Sequence, residues 1–222
     1  MPKNKLKKFL EINSFKHVKE PKLEELNKGF KLKGKWNKDF FNNNNPIVLE
    51  LGCGKGEYAV GLAKKYPNKN FIGVDIKGAR IWTGAKEVAE KGLSNVGFLR
   101  TRIDWIDKCF NKNEVDEIWI TFPDPQLKKR RAKKRLTHPL FLIKYHNILK
   151  NGGIIHLKTD SQFLYGFTLG VIIAEDHVLI DATDDLYNDI THYESKDIKT
   201  HYENIFLGKD IPITYLKFRI NY

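Results

Sequence analysis

The decapeptide Ile47-Val48-Leu49-Glu50-Leu51-Gly52-Cys53-Gly54-Lys55-Gly56 decides how the chain is read. Its first five residues are an apolar run broken by one acid, the pattern of a strand buried on both faces. The next five hold three glycines in alternation, so the backbone can take positive φ and let a ligand approach closely. A helical pattern follows at once, at residues 57–66, and stops near Pro67. A strand feeding a glycine turn and then a helix is a seat for a nucleotide-like cofactor. The dinucleotide fingerprint G-x-G-x-x-G is absent, because here the glycines run G-x-G-x-G. The acid ahead of the first glycine also argues against a phosphate cradle.

The same texture repeats outward from this turn. Residues 71–75, 96–101, 115–121 and 154–158 read as further strands. Helical patterns at 79–91, 137–149 and 161–173 separate them, closed by Gly92 and by Asn151-Gly152-Gly153. Two last strands at 177–181 and 213–220 bring the number to seven, with a long polar segment, 182–211, between them. Strands alternating with helices at short spacing predict an α/β fold, a Rossmann-like, doubly wound and mostly parallel sheet with right-handed crossovers. Ligands of such sheets bind beyond the carboxyl ends of the strands. Acids stand at those ends: Glu50, Asp75, Asp124 and Asp160. Asp75 is placed either to accept from both ribose hydroxyls of an adenosine or to cap the next helix. Acids at two successive strand ends point to S-adenosylmethionine, which carries a sulfonium and an α-ammonium but no phosphate. Glu50, Gly52, Gly54 and Asp75 are the expected cofactor residues.

Composition bounds the rest. The 222 residues suffice for one α/β domain, expected at 46–222, behind a basic extension at 1–45 that shows little periodicity and ends in Asn42-Asn43-Asn44-Asn45. No apolar run nears the roughly 20 residues of a membrane span. The basic start Met1-Pro2-Lys3-Asn4-Lys5 is followed by no apolar signal core. Cys53 and Cys109 make no disulfide framework and read as buried thiols of a reducing cytoplasm. His138, His156, His192 and His201 lack ligand spacing, so no metal is expected. Lys and Arg total 39 against 27 Asp and Glu, a formal net charge of +12. The excess is clustered, with lysines recurring from Lys3 to Lys35 and a second run at Lys128-Lys129-Arg130-Arg131-Ala132-Lys133-Lys134-Arg135. A solvated basic face accounts for either run alone; two runs flanking a candidate active site point to a nucleic acid bound through its phosphates.

Between the fourth strand and the second run lies Phe122-Pro123-Asp124-Pro125-Gln126-Leu127. Pro125 fixes its own φ and restricts the residue before it, which holds the Asp124 carboxylate toward the cleft. At this point the chain resembles the bacterial tRNA (guanine-N7)-methyltransferases, class I enzymes dependent on S-adenosylmethionine. The resemblance rests on Glu50 and Asp75, on Asp124-Pro125 with Lys128-Lys129-Arg130, on Leu136-Thr137 and on Lys158-Thr159-Asp160. It also rests on Thr200-His201-Tyr202-Glu203, followed by Phe206, Gly208 and Pro212. These motifs span residues 47–216 in the family's order.

The resemblance implies methyl transfer to N7 of the variable-loop guanine of tRNA, by a cytoplasmic monomer or homodimer built on a seven-stranded sheet. It implies Asp124 as the catalytic residue, touching cofactor as well. It places Arg102 or Asp104 at the cofactor's adenine, and Lys128, Asp160, Thr200, His201, Tyr202 and Glu203 at the substrate. Lys129, Arg130, Arg131, Lys133, Lys134 and Arg135 would contact RNA. Guanine N7 already carries an in-plane lone pair, so catalysis would rest on positioning and electrostatics. The chain departs from the family at Gln126 and Leu127, where tryptophan and proline are usual, and at Arg102, where an acid is usual. A second Thr-His-Tyr-Glu begins at Thr191, but the downstream residues fit only the copy at Thr200. Two other functions fit parts of the sequence. An amino-group methyltransferase would carry Asp/Asn-Pro-Pro-aromatic, and Asp124-Pro125-Gln126-Leu127 lacks the second proline and the aromatic. A non-catalytic RNA-binding protein of the same fold would have no need of Glu50, Asp75 and Asp124.

Overall fold

The computed structural model describes residues 3–191, 194–196 and 198–221 and places the glycine turn at the middle of one eight-stranded sheet. The chain enters through α1 (Lys3–Ile12), β1 (Val18–Lys19) and α2 (Leu23–Lys28). It then alternates through β2 (Ile47–Leu51), α3 (Glu57–Lys65), β3 (Asn70–Asp75), α4 (Gly78–Lys91) and β4 (Val96–Arg100). The second half runs α5 (Ile106–Cys109), β5 (Val115–Thr121), α6 (Pro139–His146), β6 (Leu149–Thr159) and α7 (Gln162–Ala174). It closes with β7 (Val178–Thr183), α8 (His201–Leu207) and β8 (Thr214–Arg219).

The strand order is β1-β4-β3-β2-β5-β6-β8-β7. Strands β1 to β6 are parallel, and β8 lies antiparallel between β6 and β7. Because β3 and β5 flank β2 on opposite sides, the crossovers leave β2 in opposite directions and open a crevice beyond the carboxyl ends of β2 and β5. All seven expected strands form. The eighth, β1, comes from the segment read as an extension and pairs Val18 with Phe98 and Lys19 with Leu99. Strand β6 starts earlier than read, at Leu149, because Leu149 pairs with Val115 before the register slips to Glu117 with Ile154. The Asn151-Gly152-Gly153 turn is therefore an irregularity inside β6 and not the end of a helix, with Gly152 at φ 78°.

Alternation along β2 sends its side chains to two cores. Leu49 and Leu51 join Ile72, Val74, Ile118 and Ile120 on one face, and Val48 joins Tyr58, Leu62 and Trp119 on the other. Glu50 shares the face of Val48 and is aimed at the first turn of α3. Gly56 takes φ 75° at the start of that helix, and a Cβ there would stand 2.5 Å from the Phe98 ring. Close packing as well as backbone freedom thus requires glycine.

The first 45 residues do not stand apart from the body. Trp36 is fully buried, stacks on Phe110 at 5.2 Å and donates from Nε1 to the Cys109 carbonyl at 3.0 Å. The backbone N–H groups of Gly34 and Trp36 donate to Glu114 just before β5, and the Asn70 side-chain amide at the start of β3 donates to Asn37 and Asn43. This stretch, Lys33 and Lys35 included, therefore runs under the amino ends of the strands, opposite the crevice. Helix α1 instead packs on α4, where Trp82 Nε1 donates to Glu11 at 3.0 Å and Lys8 lies 4.3 Å over the Trp82 ring. Lys7 and Lys8 of the N-terminal cluster thus lie beside α4; Met1 and Pro2 lie outside the described residues. Trp36→Ala is expected to cost about 3–5 kcal/mol in urea denaturation. A loss below about 1 kcal/mol would show that the segment is not part of the folding unit.

Candidate active site

Two recesses meet at Gly52. Gly52 has φ 80° and nothing within 4 Å of where a Cβ would stand, so a side chain there would project into open cleft. The wider recess, about 870 Å³ with its open mouth, lies over the ends of β3 and β4. Asp75 forms its polar side. Asp75 Oδ2 accepts from the Gly54 N–H at 2.9 Å and Oδ1 from the Lys77 N–H at 2.8 Å. Helix α4 is capped at Lys77 with no side-chain bond, so of the two sequence readings of Asp75 the helix cap does not apply. The carboxylate fixes the glycine turn and keeps acceptor capacity for hydroxyls. Ile76, Ile103, Leu136 and Phe141 supply apolar walls. Flat apolar walls beside a carboxylate fit an adenosine. Arg102 and Asp104 both line this recess, half-exposed and paired with each other at 3.3 Å.

Glu50 lies in the narrower recess, about 560 Å³, and is only 3% exposed. Its Oε2 accepts from the Ala59 N–H and its Oε1 from the Thr121 hydroxyl, both at 2.9 Å. Burial is the largest influence on its ionisation and lifts the carboxyl from 4.5 to about 8, against the opposing pull of those two hydrogen bonds. The acid at the heart of the crevice is thus held largely protonated at neutral pH until a cation comes beside it. An α-ammonium is such a cation.

The loop after β5 is held in an unusual shape. Phe122 and Gln126 both have φ 48°, the left-handed region that side chains other than glycine seldom adopt. The Phe122 N–H donates to the Lys158 carbonyl at 2.8 Å, and the Gln126 N–H donates to Asp124 Oδ1 at 3.0 Å. Phe122 lines the narrower recess and Gln126 the wider one, and the exposed Asp124, between them in the chain, is in the lining of neither. Arg135 clamps the loop, donating from Nε to the Pro125 carbonyl at 3.3 Å and from Nη2 to the Gln126 carbonyl at 3.2 Å. Its guanidinium also lies 4.7 Å and 4.4 Å from the rings of Phe163 and Phe167. Arg135 is 6% exposed, so the expectation that it contacts RNA is corrected: the last cation of the run turns inward to satisfy the loop carbonyls. Lys128, Lys129, Arg130, Arg131, Lys133 and Lys134 are exposed, the last five on a 3₁₀ turn.

The far wall comes from the polar segment before β8. Thr200, His201 and Tyr202 line the narrower recess at the start of α8. Thr200 and Glu203 form a capping box, and the His201 N–H donates to Glu57 at 2.8 Å. Glu203 itself faces away from the recess. It is fully buried, pairs with the equally buried Lys158 at 2.5 Å and accepts from the Tyr187 hydroxyl at 2.6 Å. Its expected substrate contact is therefore corrected to the anchoring of α8 onto β6. Asp160, just past β6, is half-buried with its carboxyl raised by that burial, and lines neither recess. The second Thr-His-Tyr-Glu runs through His192 and Tyr193, outside the described residues.

Sequence reasoning missed Thr121, Phe122, Tyr58 and Arg80, all of which line the narrower recess. Thr121 carried a usable signal, as a polar residue ending an apolar strand beside an acid-bearing one. Among the described residues no group of three histidine, cysteine or acidic side chains is placed to hold a metal, and both thiols are buried. Glu50 generates a prediction whose sign follows from its ionisation. A raised carboxyl contributes no penalty below pH 4.5, a growing one as pH climbs from there to about 8, and a constant full penalty above that. Glu50→Gln is thus expected to raise the melting temperature of the cofactor-free protein at pH 9, with little change at pH 5, while weakening cofactor affinity roughly tenfold. Equal stability of the two proteins at pH 9 would contradict the assignment.

Comparison with known proteins agrees with this geometry. A family model described as "Putative methyltransferase" matches residues 44–215. A tRNA (guanine-N(7)-)-methyltransferase of Christiangramia forsetii is 56% identical over 220 residues, covering 98% of each chain. One of Bacteroides fragilis is 51% identical over 219 residues, covering 98% of this chain and 86% of that one. Among solved structures, the 16S rRNA methyltransferase KamB shares the fold at a TM-score of 0.63 and 13% identity, over 83% of this chain and 92% of that one. With half or more of its residues shared with such relatives along nearly its whole length, the chain belongs to the tRNA (guanine-N7-)-methyltransferase family, whose methyl donor is S-adenosylmethionine.

Proposed function

We propose that the chain methylates N7 of the variable-loop guanine of tRNA. The observation that supports this most is the position of Asp124. A strained, clamped loop carries it between Gln126, which lines the recess fit for adenosine, and Phe122, which lines the recess walled by Thr200, His201 and Tyr202, with exposed Lys128 and its basic neighbours next in the chain. S-adenosylmethionine supplies a methyl group activated by its sulfonium. The remaining work belongs to the protein. Asp75 holds the ribose, and Glu50 with its Thr121 and Ala59 partners receives the α-ammonium. Asp124 Oδ1 is engaged by the Gln126 N–H, so the second oxygen is the one that accepts from the guanine N1–H and amino edge. Its charge also offsets the positive charge that grows on the imidazole ring as N7 is alkylated. No base is needed, because the attacking lone pair is already free.

Thr200, His201, Tyr202 and Asp160 enclose the base, and Lys128 meets O6 or a phosphate. Lys129, Arg130, Arg131, Lys133 and Lys134 carry the RNA backbone, joined by Lys7 and Lys8 of α1. Residues 46–222 hold the catalytic machinery and the first 45 add early lysines. None of the helices among the described residues is long and apolar enough to cross a membrane. A tRNA substrate fits a cytoplasmic enzyme, which would act as a monomer or homodimer.

Incubation with unmodified tRNA, followed by nucleoside mass spectrometry, is expected to give 7-methylguanosine from intact tRNA and none from tRNA lacking the variable-loop guanine. Asp124→Ala is expected to lower kcat at least a hundredfold while leaving tRNA affinity within severalfold; full activity would remove Asp124 from the mechanism. Affinity for tRNA should fall steeply with salt, and each Lys129→Ala or Arg130→Ala change should flatten the log–log slope by about 1. A slope that these changes leave intact would detach the basic run from RNA binding.

A further inference from the structure

Two residues that line the wider recess each carry a buried oxygen with no hydrogen-bond partner. Thr101 Oγ1 and Gln126 Oε1 are buried side-chain atoms without a hydrogen bond, and both residues line that recess. They reach it from different loops, after β4 and after β5 respectively. The Thr101 N–H donates to the Asp75 carbonyl at 3.1 Å. The Gln126 N–H donates to Asp124, and its carbonyl accepts from Arg135 while the residue is held at φ 48°. The backbone of Gln126 is therefore fixed by its neighbours, and its buried carboxamide oxygen has no partner. Buried polar atoms are rarely left unpaired in native proteins, and two of them on residues that line one cleft point to a ligand that completes the set.

The apolar walls Ile76, Ile103, Leu136 and Phe141 can hold a flat base but cannot tell one purine from another. Discrimination has to come from polar atoms at the ring edge. A carboxamide offers an acceptor beside a donor, and adenine offers the matching pair, its N6 amino group beside a ring nitrogen. A carboxamide free to turn over would also match the O6 and N1–H of a 6-oxo purine; one held with its oxygen toward position 6 sets an acceptor against an acceptor there. Arg102 and Asp104, also on this recess, are half-exposed and already paired with each other at 3.3 Å.

We infer that Gln126 and Thr101 read the edge of the cofactor's adenine, Gln126 Oε1 accepting from the N6 amino group and the Thr101 hydroxyl donating to a ring nitrogen. The inference rests on the adenosine lying in the Asp75 recess. It gives this chain a specificity contact at the position where tryptophan is usual in the family it resembles.

The test is calorimetric and needs no turnover. The full chain is titrated with S-adenosylhomocysteine and with S-inosylhomocysteine, which differ in the 6-amino and 6-oxo groups. The expected result is a preference of at least tenfold for the adenosyl compound. Gln126→Leu should lose roughly tenfold in affinity for the adenosyl compound and little for the inosyl one, so that the preference collapses. Gln126→Glu, which keeps an acceptor, should retain it. Thr101→Val should weaken adenosyl binding severalfold, and Thr101→Ser should not. A folded Gln126→Leu protein with the preference intact overturns the inference. Asp75→Asn separates the two levels: weakened binding in that variant beside an intact preference in Gln126→Leu refutes the reader alone, whereas unchanged binding in Asp75→Asn removes the adenosine from this recess and the inference with it.

Discussion

The crevice depends on a carboxyl placed where a sheet has little room for one. Strand β2 is buried along its whole length, and Glu50 is its one ionisable residue. Its two oxygens draw together the first turn of α3 and the end of β5, so the acid binds the three elements that meet at the switch point. Burial without a cation keeps the carboxyl protonated. A ligand that brings a positive charge would relieve that condition, so the structural tie is also where the proposed cofactor's ammonium belongs. Glu203 is the instructive contrast. It is just as buried, but Lys158 neutralises it and Tyr187 and the Thr200 N–H share its oxygens. A buried acid with a resident cation anchors a helix; one without waits for a ligand.

The loop between β5 and the basic run shows a second form of the same economy. Left-handed backbone at Phe122 and Gln126 costs on the order of 1–3 kcal/mol each and persists only when the surroundings over-determine it. The surroundings are the Lys158 carbonyl, the Asp124 carboxylate and the inward-turned Arg135. Alkylation of an atom that already owns its lone pair gains most from fixed geometry, so rigidity in this loop is where the fold can contribute to rate.

Much of this was legible in the sequence. Parallel strands buried on both faces read as apolar runs, and acids at their ends stand out against that background, which is why β2 to β6, Glu50 and Asp75 could be placed. What stayed hidden was set by contacts far along the chain. The N-terminal segment shows no period because single anchors hold it, Trp36 against Phe110 and Asn43 against Asn70. The spacing of Thr200 and Glu203 announces a helix start, but nothing local reveals that Lys158 sits across from Glu203. Charge counting could not tell that Arg135 turns inward or that Lys33 and Lys35 lie at the far end of the sheet. The surface available to RNA is therefore narrower than the net charge suggests.

The central claim is that the Asp124 loop brings guanine N7, and no other atom, to the methyl donor. Its most direct test is transfer of labelled methyl from S-adenosylmethionine to two tRNAs that differ only at the variable-loop guanine, one carrying guanine and the other 7-deazaguanine. The 7-deaza base keeps the N1–H and amino edge and the O6, and replaces the accepting nitrogen by carbon. The account predicts label in the first tRNA and none in the second, with both bound equally well. Label in the 7-deaza tRNA would contradict it.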